Sequence, residues 1–272
     1  MTVVSAQTAS VAFSVACERT PGPSTLVAAN ELGDIFIVDE DTGVATFLYD
    51  TQMSDGAGGT VDLGVVSSMS YIPTTDKWWL GMGGNSPCRG CIMTFDPSTL
   101  VATMLYQRPD GDGISGLAVH PDTERIFSFP SDSSYDLYEL NAITGEFTTI
   151  ASTGFLGWSG NGTTVSNDGE LYVVGDGDLY QVDIDTGAET LIGAVTLTGF
   201  PTLQHGNPNV LALATRSTDG AVFGLLRDGN RRDSAGTYIF LLNLDTAEAV
   251  LVGETTDLLE GLAFVPNSMI SP

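Results

Sequence analysis

The stretch GDLYQVDIDTGAETLIG, Gly177 to Gly193, rises through an apolar run to Ile184, turns at Asp185-Thr186-Gly187 and returns through a second apolar run. Two short apolar runs separated by Asp, Thr and Gly read as a β-hairpin. The phrase recurs. IFIVDEDTGVATFLYD begins at Ile35, IMTFDPSTLVATMLYQ at Ile92, LYELNAITGEFTTIAS at Leu137 and IFLLNLDTAEAVLVGE at Ile239. The turn threonines Thr42, Thr99, Thr144, Thr186 and Thr246 lie 42 to 60 residues apart. A repeat of ~40–50 residues with insertions is the period of a radial array of small antiparallel sheets.

A second repeat precedes the hairpins. SSMSYIP (Ser67–Pro73), SGLAVHP (Ser115–Pro121) and EGLAFVP (Glu260–Pro266) are alike. The first two lead through a turn into an apolar strand, KWWLGMG at Lys77 and RIFSFPS at Arg125. NGTTVSNDGELYVVG at Asn161 has the same form, and VLALATRSTDGAVFGLL at Val210 fits more loosely. The unit is strand a, strand b, strand c, a DxxTG turn and strand d. EGLAFVP follows the fifth hairpin with no strands behind it, and STLVAAN at Ser24 is a b strand with no a strand before it. Circular closure solves both, because the C-terminal a strand completes the N-terminal blade and removes an exposed sheet edge.

The expectation is therefore an all-β fold, a β-propeller of five four-stranded blades spanning 1–272 as one domain. Residues 1–16 form an extra edge strand or a tail; ASVAFSVA, Ala9 to Ala16, keeps a sixth, incomplete blade as the alternative. The runs IFIV, LYVV and IFLL are continuously apolar, as expected of strands buried on both faces; a sheet with one wet face would alternate. With its recurrent LYxxDxxTG phrase, the pattern resembles propellers of the NHL, YncE-like and lactonase-like groups. That resemblance implies the fold. Those groups include binding platforms, hydrolases and lyases, so it does not choose an activity.

Composition narrows the partners. Nine basic residues face 34 acidic ones in a chain of 272, a formal net charge of -25, and Lys77 is the sole lysine. Such a chain repels nucleic acid and anionic membrane surfaces. No apolar run approaches the ~20 residues a membrane helix needs, and no basic segment followed by an apolar one marks an export signal. A saline or calcium-containing exterior would screen the charge. Cys88 and Cys91 form one C-x2-C, too few ligands for a zinc ribbon. If the protein is exported they read as a loop disulfide, with two reduced thiols as the alternative.

Propeller topology sorts the loops: d–a and b–c connections share one face, a–b and c–d turns the other. Ligand candidates on the first face are Trp158 in a glycine-rich loop, His205, and the arginines Arg89, Arg108, Arg227, Arg231 and Arg232. Guanidinium forks suit carboxylated glycans or other anions, and an exposed Trp suits a sugar ring or a protein anchor. Pairing of the arginines with neighbouring acids is the plain alternative. Asp110-Gly-Asp112 and Asp176-Gly-Asp178 resemble the start of a calcium loop but lack its remaining ligands, so calcium is the candidate cation and no other cofactor is indicated. The aspartates of the DxxTG turns, Asp39 and Asp183 among them, are expected to cap their own hairpins. His120 sits in an a–b turn, opposite His205, and no nucleophile motif or HExxH is present. The reading is a non-catalytic, extracellular or cell-surface propeller, a binding module or scaffold that meets a protein or glycan through its d–a/b–c face. The alternative is a lactonase-like hydrolase or lyase with a metal-assisted site at the channel mouth.

Overall fold

In the computed structural model the described residues are 24–54, 59–130, 136–152, 162–203, 208–229 and 237–270. Blade 1 opens with β1 (Ser24–Asn30), β2 (Ile35–Val38) and β3 (Ala45–Tyr49). A short hairpin, β4 (Gln52–Ser54) and β5 (Thr60–Asp62), leads to blade 2: β6 (Val66–Ile72), β7 (Lys77–Met82), β8 (Cys91–Asp96) and β9 (Val101–Gln107). Blade 3 is β10 (Ile114–Val119), β11 (Ile126–Pro130), β12 (Asp136–Leu140) and β13 (Phe147–Ser152). Blade 4 is β14 (Thr163–Val165), β15 (Leu171–Gly175), β16 (Asp178–Val182) and β17 (Glu189–Ala194), followed by the short β18 (Thr196–Thr198). Blade 5 is β19 (Asn209–Thr215), β20 (Val222–Arg227), β21 (Tyr238–Leu242) and β22 (Glu248–Glu254), and β23 (Leu259–Pro266) ends the array.

β23 pairs antiparallel with β1, from Ser24 opposite Pro266 to Asn30 opposite Leu259, so the first sheet runs β23-β1-β2-β3. The ring is closed by the two ends of the chain. The innermost strands β23, β6, β10, β14 and β19 touch in that order and back to β23, which makes a five-bladed propeller. The stretch 9–16 lies outside the described residues. Two blades exceed four strands. β4 adds to β9, and β18 to β22, both in parallel, so each connection straps the outer edge of the next blade.

Five hydrophobic clusters account for the ring, one between each pair of neighbouring blades. Strand β7 shows why its apolar run is unbroken. Successive side chains of a strand point to opposite faces. Trp78 packs toward blade 1 with Tyr49, and Trp79 toward blade 3 with Ile126 and Leu140. Both indoles are fully buried. Each contributes on the order of 4–6 kcal/mol of gross apolar burial.

The DxxTG turns work through one acceptor. Asp183 Oδ1 receives the backbone N–H groups of Asp185 (3.0 Å) and Thr186 (2.7 Å) and the Thr186 hydroxyl (2.8 Å). These bonds, the Thr186 hydroxyl first, hold its carboxyl below the usual aspartate range. Asp39 caps Asp41 and Thr42 in the same way, and Asn141 and Asn243 repeat the pattern with an amide oxygen. The closing residue is left-handed: Gly43, Gly145 and Gly187 have φ of 71°, 71° and 68°, whereas Leu100 and Ala247 hold φ of 60° and 57° without the freedom of glycine. Each c–d turn also seats against the preceding blade. The Gly43 backbone lies so close to Gly253 that a methyl on Gly43 would sit 2.9 Å from the Gly253 Cα.

Candidate functional site

The described basic residues are engaged by the scaffold. Among the described residues every Lys and Arg makes an ion pair. Arg227, at the end of β20, is 6% exposed and donates from Nη1 to Glu260 Oε1 at 2.7 Å, joining blade 5 to the closing strand β23. Arg216 pairs with Asp219 at 2.5 Å and with Glu40 of blade 1. Arg125 bridges Glu139 (2.9 Å) and Asp185 of blade 4 (2.8 Å). Lys77 meets Asp96 at 2.5 Å, and that contact, with help from Ser98, lowers the Asp96 pKa to about 2.

These pairs decide the standing of the d–a/b–c candidates. Arg108 is buried, donates to Asp110 at 2.7 Å and stacks 5.1 Å from the Tyr138 ring and 5.6 Å from the Phe147 ring of blade 3. Arg89 is half-exposed and pairs with Asp112 at 3.2 Å. Arg108 and Arg227 are thus built into the walls, and of the described arginines of this face Arg89 alone reaches solvent. Trp158, His205, Arg231 and Arg232 lie outside the described residues. Asp110 and Asp112 turn toward Arg108 and Arg89, and Asp110 Oδ1 also caps the Asp112 N–H at 3.1 Å. Asp176 and Gly177, with φ of 52° and 87°, make the two-residue turn between β15 and β16, and Asp178 lies 3.5 Å from the Tyr180 hydroxyl. Among the described residues no three His, Cys, Asp or Glu side chains converge as a metal site. Cys88 and Cys91 are joined by a disulfide in the b–c loop of blade 2. Among the described residues no helix is long and apolar enough to cross a membrane.

The axis opens on the other face. Where the a–b turns converge, a cavity of about 400 Å³ is lined from all five blades, by Tyr71, His120, Thr164, Asn167, Ser217 and Phe264 among others. His120 is fixed by its own turn: Nδ1 accepts the N–H groups of Asp122 and Thr123, both at 3.2 Å. The imidazole does there what Asp183 does in a c–d turn, so its proton sits on Nε2, which abuts Gly169 of blade 4. Asn167 Nδ2 donates to the carbonyl oxygens of Ser217 (3.0 Å) and Arg216 (3.5 Å), tying blade 4 to blade 5. Thr164 and Thr215 share a hydroxyl bond of 2.7 Å. The Tyr71 hydroxyl donates to Asp76 at 2.8 Å. Burial, then the Asp76 bond and charge, then the charge of Glu124 push its pKa up to about 12. Sequence reasoning missed Tyr71 and Phe264, yet a signal existed: each stands two residues before the proline of the repeated a strand, as Val119 does, and all three line the cavity.

Fold and site together define a five-bladed β-propeller with an all-blade cavity at one mouth of its axis. No family model and no curated protein matches the chain. Among solved structures the chain is similar to one from a nidogen/laminin complex, with a TM-score of 0.52 at 10% identity over 89% of this chain and 98% of that one. It is also similar to an auxiliary nutrient binding protein from Bacteroides thetaiotaomicron, with a TM-score of 0.47 at 13% identity over 87% of this chain and about half (49%) of that one. At these identities the first likeness attests the fold, and the second adds no argument.

Proposed function

We propose that the protein is a non-catalytic binding propeller of the extracellular space or cell surface, a module that holds a partner or small ligand at the a–b mouth of its axis. The observation that carries this reading is the cavity of about 400 Å³ to which every blade contributes. Such convergence of the innermost strands is how a radial fold makes one concave site from five repeats. Two features support the setting. The Cys88–Cys91 disulfide suits an oxidising compartment. With the described cations bound to carboxylates, the excess of acid keeps the molecule soluble and steers it from anionic surfaces. The chain of similar fold in a nidogen/laminin complex is compatible with a role in protein contact.

The test is a panel of neutral and carboxylated glycans, basic and neutral peptides and small amines, read by thermal shift, beside a panel of lactone and ester substrates read by turnover. Saturable binding that is lost in Ser217→Trp, which obstructs the mouth, supports the reading. Absence of any binder together with measurable hydrolysis overturns it in favour of an enzyme.

A further inference from the structure

The cavity has a graded interior. Its floor is apolar: Met69, Leu117, Leu213 and Leu262 meet near the axis, and the gap beneath them is about 10 Å³. The space narrows there from about 400 Å³ to about 10 Å³, so the cavity tapers like a funnel toward the axis. Above the floor stand Tyr71, Val119, Val165, Thr215 and Phe264. Two aromatic and two branched aliphatic side chains make a wall for an apolar body.

The rim is different in kind. Several of its donors are engaged: Tyr71 on Asp76, Asn167 Nδ2 on backbone carbonyls, and one hydroxyl of the Thr164–Thr215 pair on the other. Acceptor capacity stands beside them, in Asn167 Oδ1 and the phenol oxygen of the lining and in the carboxylates of the framing turns, which lie outside the lining and of which Asp76 touches it through the Tyr71 hydroxyl. Of these, Asp76 and Glu124 act electrostatically on the Tyr71 hydroxyl, and Glu124 is also joined to Thr74 across the blade 2–3 boundary. The cations of the same turns, Lys77, Arg125 and Arg216, are engaged with other carboxylates. Ser24 adds a buried oxygen with no hydrogen-bond partner among the described residues.

A separate observation marks the same two acids. The residue that closes each a–b turn is left-handed. In blades 4 and 5 it is glycine, Gly169 and Gly220, with φ of 85° and 76°. In blades 2 and 3 it is Asp76 and Glu124, with φ of 50° and 55°. A side chain in this region costs ~1–2 kcal/mol for most residues, less for Asp. The fold tolerates that strain at the two turns nearest Tyr71 and avoids it at the others.

We propose that the funnel binds organic ammonium ligands, with an aromatic or branched aliphatic body seated against Tyr71, Val119, Val165 and Phe264 and the ammonium group at the rim beside Asp76 and Glu124. This rests on the binding reading above and names its ligand class. An apolar interior selects for the body, and carboxylates beside the Tyr71 hydroxyl, with no spare cation among the described residues, select for a group that carries positive charge.

Three probes that share a phenethyl body test it: 2-phenylethylammonium, 2-phenylethanol and 3-phenylpropanoate, titrated into the 15N-labelled full chain by NMR. The ammonium is expected to shift Tyr71, His120, Asn167 and Phe264. It should bind about tenfold or more tighter than the alcohol, with no saturable shift from the carboxylate. Raising NaCl from about 20 mM to about 500 mM should weaken it several-fold. The Asp76→Asn/Glu124→Gln variant should lose about tenfold in ammonium affinity and leave alcohol binding unchanged. Glu124→Gly, which relieves the backbone strain, should also lose affinity while keeping or raising the Tm, so that a loss cannot be ascribed to unfolding. Equal binding of ammonium and alcohol overturns the charge assignment while the binding reading stands. Silence from all three probes, with a glycan or peptide of the wider panel bound elsewhere, overturns the funnel as the ligand site. Silence from every ligand overturns both.

Discussion

Replacing Arg227 with methionine tests whether this guanidinium belongs to the scaffold or to a ligand site. Arg227 is 6% and Glu260 9% exposed, and their 2.7 Å contact links β20 to the strand that closes the ring. Arg227→Met leaves the Glu260 carboxylate buried without its guanidinium. Removing one partner of a buried pair costs about 3–5 kcal/mol, whereas replacing both by apolar groups of similar volume is near neutral. For a chain of this size each kcal/mol moves the Tm by about 2–4 °C, so the single variant should melt about 10 °C lower. Glu260→Leu should behave alike, and Arg227→Met/Glu260→Leu should return to within about 2 kcal/mol of the parent. Urea unfolding followed by tryptophan fluorescence reports the change, because Trp78 and Trp79 are fully buried. Single variants within about 1 kcal/mol of the parent, or a double variant that costs the sum of the singles, would refute the reasoning.

Further outcomes follow from the same contacts. Gly253→Ala places a methyl on the Thr42 carbonyl oxygen at the blade 5–blade 1 boundary and should destabilise by more than about 2 kcal/mol in a urea titration, whereas Gly145→Ala, left-handed with its nearest neighbour 3.0 Å away, should cost about 1–2 kcal/mol. Asp96 has a folded pKa of about 2 against an unfolded value of 3.8, so its contact with Lys77 stabilises fully above about pH 4 and is lost as pH falls toward 2. The stability difference between the parent and Lys77→Met should shrink over that window in urea unfolding at stepped pH. Reducing the Cys88–Cys91 bridge opens a very short loop and should lower stability by no more than about 2 kcal/mol, read as a Tm shift with and without dithiothreitol.

The repeat is what made the fold legible. A capped turn needs an acceptor at its first position and a left-handed residue at its last, so it leaves the same letters wherever it occurs, and Asp39, Asn141, Asp183 and Asn243 all carry it. Ring closure was legible because an a strand was spare at one end and missing at the other. The straps β4 and β18 were not, since three residues hold no periodicity and their partners are strands of the next blade. Every c–d pair also carries a register shift near the start of its c strand, a feature of backbone twist that side-chain pattern does not encode. Pairing with neighbouring acids was legible for Arg108 with Asp110 and Arg216 with Asp219, whereas the partners that join blades were not, because they are remote: Glu40 is 176 positions from Arg216, and Glu260 is 33 from Arg227. The cavity was missed for a related reason. Its walls are alternate residues of five separated strands, and no single stretch displays them together.

The account stands on the pairing of β23 with β1, and cysteine cross-linking tests it directly. In a Cys17→Ser background, Thr25→Cys and Val265→Cys occupy partnered positions of the two strands, whereas Thr25→Cys and Leu259→Cys are far out of register. Mild oxidation followed by non-reducing mass spectrometry should show an intramolecular disulfide in the first pair and none in the second. Cross-linking only between molecules, or equally in both pairs, would contradict a ring closed by the two ends of its own chain.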